Sequence, residues 1–335
     1  MKIGVVGATG EVGRMMIKVI EEYDIPVGEL RLFASQRSAG LHIKYKQGEL
    51  MVEELSDEAM KESYDYLLFS AGGSVSKRFA PVAASAGNVI IDNSSAFRTQ
   101  EDVPLVVPEI NGDLLAGYRG IIANPNCSTI QMLLALNGLR AYTIKEIVVS
   151  TYQSVSGAGR KALDEYYNQI EWAAKGLDIS EQFEKSEKRV FAQPIFSNVI
   201  PLIGDLDENT GNSSEDLKMI NETKKIFNDE SINIYPFAAR VASEYSHGES
   251  VLVKLEKDID LDSFISSIER TEHVKCSRDL ITPLDAAGSD ITYCSRVRKM
   301  DRGVFMMWIV ADNIRVGAAT NALRILARHR RVNQK

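Results

Sequence analysis

Lys2-Ile3-Gly4-Val5-Val6-Gly7-Ala8-Thr9-Gly10-Glu11-Val12-Gly13 follows Met1, and its reading decides the fold. Residues 2–6 form a short apolar run with the character of a buried strand. Val12, Met15, Met16, Val19 and Ile20 then recur at helical spacing and mark one buried face. Gly7, Gly10 and Gly13 occupy the junction. Glycines there allow a tight turn and let backbone N–H groups approach a pyrophosphate at a helix N-terminus. The spacing is GxxGxxG, a variant of the dinucleotide-binding fingerprint. Its place between a strand and a helix favours a nucleotide site over a merely tight turn. The expected contacts are Gly7, Thr9, Gly10, Glu11, Val12 and Gly13.

Outward from this stretch, residues 30–34, 66–69, 89–91 and 121–123 read as further strands, with a helical pattern over 75–86. Such alternation argues for a parallel sheet covered by helices. From about residue 145 longer strand patterns appear, over 146–152, 232–241, 249–255, 291–298 and 304–311. Helical patterns over 158–175, 213–227, 262–274 and 317–328 separate several of them. This half reads as a mixed α+β domain with a largely antiparallel sheet. The polar stretch 205–214 has the composition of a loop. Arg324, Arg328, Arg330 and Arg331 suit a solvated helix C-terminus, where cations complement the dipole.

The end of the second strand bears on cofactor choice. NAD sites tend to place a carboxylate there for the ribose 2′-hydroxyl. This chain has Ser35-Gln36-Arg37-Ser38 instead. An arginine flanked by hydroxyls suits a 2′-phosphate, so NADP is the expected cofactor through Ser35, Arg37 and Ser38. The alternative is that Arg37 is only a loop charge.

Length and composition set the bounds. At 335 residues the chain accommodates two domains, and 44% hydrophobic with 25% charged residues is ordinary for a globular protein. A net charge of −7 argues against a dedicated nucleic-acid partner but not against an anionic substrate. Cys127, Cys276 and Cys294 make an odd count with no close pair in sequence. That suggests a reducing compartment, with neither a disulfide framework nor a zinc-ligand spacing. No run approaches the roughly 20 apolar residues of a membrane span, so a cytoplasmic protein without a membrane partner is expected.

Asn124-Pro125-Asn126-Cys127-Ser128-Thr129 carries the chemistry. Cys127 stands where the strand-like 121–123 hands over to the helical 130–139. A thiol there faces unpaired N–H groups and the positive end of the helix dipole, both of which favour the nucleophilic thiolate. A nucleophilic thiol beside a nicotinamide points to redox chemistry at the aldehyde and acyl level. Of the four histidines, His273 lies in a charged helical run and His329 in the basic tail, so both read as surface groups. His42 falls between strands. By elimination His247, in a Ser-His-Gly bend after a strand that carries Arg240, is the expected proton carrier; otherwise it is a turn histidine.

Taken together, five blocks resemble the aspartate-β-semialdehyde dehydrogenase family. They are the glycine loop, Asn93-Ser94-Ser95-Ala96-Phe97-Arg98, Val106-Val107-Pro108-Glu109-Ile110-Asn111, the Cys127 block, and Gln153-Ser154-Val155-Ser156-Gly157-Ala158-Gly159. The resemblance extends to Asp312-Asn313-Ile314-Arg315. It implies an α/β fold in which a Rossmann-like NADP domain (1–126, joined by a helix over 315–335) accompanies a mixed α+β catalytic and dimerisation domain (127–314). It implies a homodimer or homotetramer. It also implies reversible, NADP-dependent conversion of aspartyl-4-phosphate and aspartate 4-semialdehyde through a thioester on Cys127.

The resemblance further assigns roles. His247 shuttles the proton, and Gln153 orients the substrate or the developing oxyanion with help from Asn126. Arg98 and Lys218 serve the phosphate, Arg240 the substrate carboxylate and Glu215 the substrate amino group; Asn313 joins the cofactor contacts. On spacing alone Glu215 and Lys218 read as an ordinary surface pair. The sibling N-acetyl-glutamyl-phosphate reductases tend to carry Asn-Pro-Gly-Cys-Tyr around the thiol, where this chain has Asn126 and Ser128. A nucleotide-binding paralogue without catalysis is the other rival, disfavoured because Cys127, Gln153, Arg240 and His247 are all retained. One departure stands out. Family members usually place proline two residues after the arginine and glycine before the histidine, whereas this chain has Ala242 and Ser246, so an altered backbone is expected there.

Overall fold

The computed structural model describes residues 1–187 and 189–334. The chain divides into two compact units. The first comprises Met1–Ile130, Glu222–Asp229 and Arg315–Lys335; the second comprises Gln131–Asn221 and Glu230–Ile314.

In the first unit seven strands form one sheet: β1 (Lys2–Val6), β2 (Glu29–Ala34), β3 (His42–Tyr45), β4 (Gly48–Glu54), β5 (Tyr66–Phe69), β6 (Val89–Asp92) and β7 (Ile121–Ala123). Their order is β3-β4-β2-β1-β5-β6-β7. All neighbours are parallel except β3 and β4. Every residue of β5 and β6 is buried, as befits parallel strands covered on both faces. The helix Glu11–Glu22 turns Met16, Ile17, Val19 and Ile20 inward. Strands β3 and β4 escaped the sequence reading. Few of their residues are buried, β3 being the edge strand and β4 its neighbour, with Ile43 and Val52 as their buried residues. His42 therefore sits on a strand rather than between strands.

A π-helical turn (Arg315–Ala319) and the helix Thr320–Asn333 belong to this unit. The tail is less solvated than its composition suggests. Arg324 is buried against Glu109 at 3.3 Å. His329 is buried too, with Nδ1 2.8 Å from the Tyr66 hydroxyl and Nε2 2.9 Å from the Tyr118 carbonyl. Packing of the helix onto the sheet, which the tail's own residues do not encode, overrides their polarity.

In the second unit the strands are β8 (Ile144–Gln153), β9 (Val199–Ile200), β10 (Asn233–Val241), β11 (His247–Leu255), β12 (Val274–Cys276), β13 (Thr292–Asp301) and β14 (Val304–Ala311). The order is β12-β13-β14-β11-β8-β10-β9, with β8/β10 and β12/β13 parallel and the other neighbours antiparallel. Ile147, Val149, Thr151 and Gln153 of β8 are buried on one face, while Val148 and Tyr152 are exposed on the other. The helical expectation over 262–274 holds only for Leu261–Ile268; the chain then turns into β12. That turn brings Cys276 level with Cys294, a neighbour that sequence separation hides.

Candidate active site

In the first unit, Gly7 has φ +86°, and a Cβ there would meet Ala71 N at 2.8 Å. A Cβ on Gly13 would lie 2.2 Å from the Gly7 carbonyl oxygen, so the helix approaches the turn only because the residue is glycine. At Gly10 the nearest neighbour of a Cβ is 3.5 Å away. No side chain caps the Glu11–Glu22 helix at Gly10. A tight turn, an uncapped helix start and open space above it are what a nucleotide pyrophosphate requires. Ser35, Arg37 and Ser38 follow β2 in a short 3₁₀ turn, with Arg37 exposed.

Cys127 opens the helix Cys127–Leu136. Asn126 caps it: its Oδ1 accepts from Ser128 N at 3.0 Å and Thr129 N at 3.3 Å. That oxygen serves the helix. Glu222 was missed by the sequence reading. One of its oxygens accepts from Asn126 N at 2.6 Å and the other pairs with Arg98 Nη1 at 3.0 Å, so a buried carboxylate links the Ser-Ser-Ala-Phe-Arg block to the cysteine helix. Lys225 gathers the Arg98, Gln100 and Val103 carbonyls. Gly317 was also missed. A methyl group there would lie 2.5 Å from Cys127 Cβ and 3.0 Å from its Cα. The π-helical turn therefore reaches the thiol only with glycine at that position.

In the second unit the remaining candidates converge. The parallel register of β8 and β10 sets Arg240 beside Gln153. The antiparallel register pairs Gly248 with Tyr152, and continuing it by one residue sets His247 beside Gln153. Arg240, Gln153 and His247 thus form one buried row on one face of the sheet. Gln153 Nε2 donates to Glu215 Oε1 at 3.1 Å, and Lys218 Nζ donates to Glu215 Oε2 at 3.0 Å. Glu215 is 4% exposed, so the pair is not the ordinary surface bridge that its spacing suggests. Gly157 marks the gap between the row's ends. A methyl group on it would lie 2.8 Å from Arg240 Nη1 and 3.2 Å from His247 Nε2. Asn313 Oδ1 accepts from Ser246 N at 2.9 Å and from the Ser154 hydroxyl at 3.1 Å.

His247 is fully buried, and Ser154 N donates to its Nδ1 at 3.0 Å. A backbone N–H is a donor only, so Nδ1 carries the lone pair and the neutral ring carries its proton on Nε2. That N–H has no protein partner. Burial, then the nearby Arg240 charge, push the imidazole pKa down to about 3, while Glu215 acts in the opposite sense. The resting ring is therefore neutral and a weak base, with a hydrogen-bond donor at Nε2. Two residues along β11, Glu249 is fully buried, and burial raises its pKa well above the usual carboxylate range, opposed by a hydrogen bond with Gln131.

Two family models match the chain: semialdehyde dehydrogenase, NAD binding domain, over residues 2–118, and semialdehyde dehydrogenase, dimerisation domain, over residues 136–316. The aspartate-semialdehyde dehydrogenase of Aquifex aeolicus is 44% identical over 97% of this chain and 96% of its own length. That of Bacillus subtilis is 40% identical over 99% and 98%. The crystal structure of aspartate semialdehyde dehydrogenase II complexed with ASA from Vibrio cholerae matches with a TM-score of 0.93, 41% identity and 98% coverage of both chains. The chain belongs to the aspartate-semialdehyde dehydrogenase family.

Against the family pattern, Ser246 stands where glycine is usual, and it adopts φ +68°. That left-handed conformation is one glycine adopts freely, so the serine bears strain there. Its hydroxyl is buried without a partner. Ser246→Gly is expected to raise the unfolding free energy by about 1 kcal/mol in denaturant titrations; a loss of stability would show that the hydroxyl has a partner of its own.

The imidazole makes a second expectation. Unfolded, it titrates near 6.5; folded, near 3. Between those values the unfolded chain binds the extra proton, so acid removes stability that is fully present above pH 6.5. The stability gap between the native protein and His247→Asn is expected to close by about 1.4 kcal/mol per pH unit below 6.5. A gap constant from pH 7 to pH 5 would mean that the ring titrates normally.

Proposed function

We propose that the chain is a cytoplasmic, NADP-dependent enzyme that reversibly converts L-aspartyl-4-phosphate to L-aspartate 4-semialdehyde, on the route to lysine, threonine, methionine and diaminopimelate. The carrying observation is the row Arg240, Gln153, His247, in which an anion-binding group, an amide and a hydrogen-bond donor stand side by side. Membership of the family supplies the reaction type, and Cys127 at a helix start supplies the nucleophile.

Arg240 holds the substrate carboxylate, Glu215 its amino group, and Arg98 with Lys218 the phosphate. The Cys127 thiolate attacks the acyl carbon; the bond from that carbon to the phosphate oxygen breaks, and phosphate departs. When bound, the reduced nicotinamide supplies the hydride. The Nε2–H of neutral His247 hydrogen-bonds the thiohemiacetal oxygen as hydride adds, and releases it as the carbon–sulfur bond breaks and Cys127 leaves as thiolate. Gln153 orients the carbonyl oxygen through its amide. Asn126 acts through the helix cap, steadying Cys127. A covalent acyl group stays positioned and accepts hydride more readily than a carboxylate. The glycine loop fits the pyrophosphate, and Arg37 with Ser35 and Ser38 suits the 2′-phosphate of NADP.

Assembly into homodimers, or tetramers built from them, rests on the outer face of the second sheet. Val148, Tyr152, Tyr235 and Phe237 are exposed there, two from each of the adjacent strands β8 and β10. This apolar face lies within the segment matched by the dimerisation model.

In a phosphate-dependent assay with aspartate 4-semialdehyde, NADP reduction is expected to fall at least about 1,000-fold in Cys127→Ala. Replacing NADP by NAD is expected to slow the native protein. Equal rates for native protein and variant would remove the covalent step, and a preference for N-acetyl-glutamate semialdehyde would reassign the substrate. Phe237→Arg is expected to shift the native mass, measured by light scattering, toward the monomer; an unchanged mass would place the interface elsewhere.

A further inference from the structure

The three cysteines look unrelated in sequence, yet the second sheet sets two of them side by side. Cys276 on β12 and Cys294 on β13 are direct partners in a parallel pair, in a different unit from Cys127. Two backbone contacts hold the register. Ser277 N donates to the Cys294 carbonyl at 2.8 Å, and Cys276 N donates to Glu269 Oε1 at 3.1 Å. Neighbouring strands lie about 4.8 Å apart, which falls within the Cα separation of roughly 4.4–6.8 Å that disulfides span.

We propose that Cys276 and Cys294 are an oxidisable thiol pair that closes to a cross-strand disulfide when the enzyme meets a small-molecule disulfide. Accessibility sets the order of events. Cys276 is half-buried on the edge strand, whereas Cys294 is fully buried. The Cys294 thiol is hydrogen-bonded to Cys276, and that bond together with burial raises its pKa well above the ordinary value. Cys276 therefore reacts first. Its thiolate attacks one sulfur of the disulfide RSSR, the S–S bond breaks and one RS⁻ leaves. Cys294 then gives its proton to solvent and attacks the Cys276 sulfur, and a second RS⁻ leaves. Two protein thiols are oxidised by two electrons, and RSSR is reduced to two RSH. Strand β12 has only three residues, so it can adjust to the bond. The bond would tie this edge strand into the row that continues through Ile309 to Glu249, next to the His247 row.

The test uses full-length Cys127→Ser protein incubated with glutathione disulfide under native conditions. Intact mass is expected to fall by two hydrogens, both remaining thiols to become unreactive toward Ellman's reagent, and a digest to yield a linked peptide containing residues 276 and 294. Adding Cys294→Ser is expected to leave a stable glutathione adduct on Cys276, and adding Cys276→Ser to prevent modification altogether. A persistent adduct on Cys276 with Cys294 still present, or no reaction in the folded protein while the denatured chain links, would overturn the proposal. Circular dichroism of each variant separates misfolding from chemistry.

Discussion

The register of β8 with its two neighbours is the constraint on which the second unit's chemistry depends. β8 runs parallel to β10 and antiparallel to β11, so three residues from three separate segments reach one face at one level. Side chains alternate along a strand, and a slip of one residue would send Gln153 to the opposite face. The same register brings the Ser154 N–H to His247 Nδ1 and thereby selects the ring's tautomer. The apolar alternation of Ile147, Val149 and Val251 holds that register, so hydrophobic patterning indirectly determines where a proton sits.

In the first unit the corresponding anchor is Glu222. Its carboxylate is buried and divided between Arg98 and the backbone of Asn126. A buried ion pair contributes little over an apolar replacement, but losing one partner leaves an uncompensated charge and costs about 3–5 kcal/mol. Such a pair fixes position more than it adds stability. Asn126 donates from its N–H to Glu222 and accepts two bonds at its side chain, so the residue before Cys127 is held from both directions. A nucleophile is placed by its neighbours' bonds rather than by its own.

Much of this was legible in the sequence, for identifiable reasons. The strands β1, β2, β5, β6 and β7 are apolar runs, and the glycine loop names its own geometry. Cys127 at a helix start could be read from spacing, His247 by elimination among four histidines, and the role of Arg240 only from the family resemblance. Edge strands β3 and β12, and β4 beside β3, were invisible because partial solvation gives them mixed composition. Glu222 and Lys225 were missed, since their partners lie more than 90 residues away in the chain. His329 and Arg324 were misread for the opposite reason: local charge suggested solvent, and tertiary packing buried them. The tautomer of His247 has no sequence signature, because it depends on one backbone donor.

The depressed imidazole pKa follows from the same arrangement and bears on how the proposed reaction would be coupled. Burial disfavours the imidazolium, and the Arg240 charge disfavours it further. On the proposed reading, Arg240 receives the substrate carboxylate. A bound anion would offset the guanidinium charge, leaving burial as the main opposition to protonation. The unliganded site would therefore keep the ring neutral with its proton at Nε2. Substrate binding would raise the ring's affinity for a second proton, and with it the ring's capacity to act as a base. The residue that grips the substrate would then also tune the residue that moves the proton, because the sheet places them on either side of Gln153.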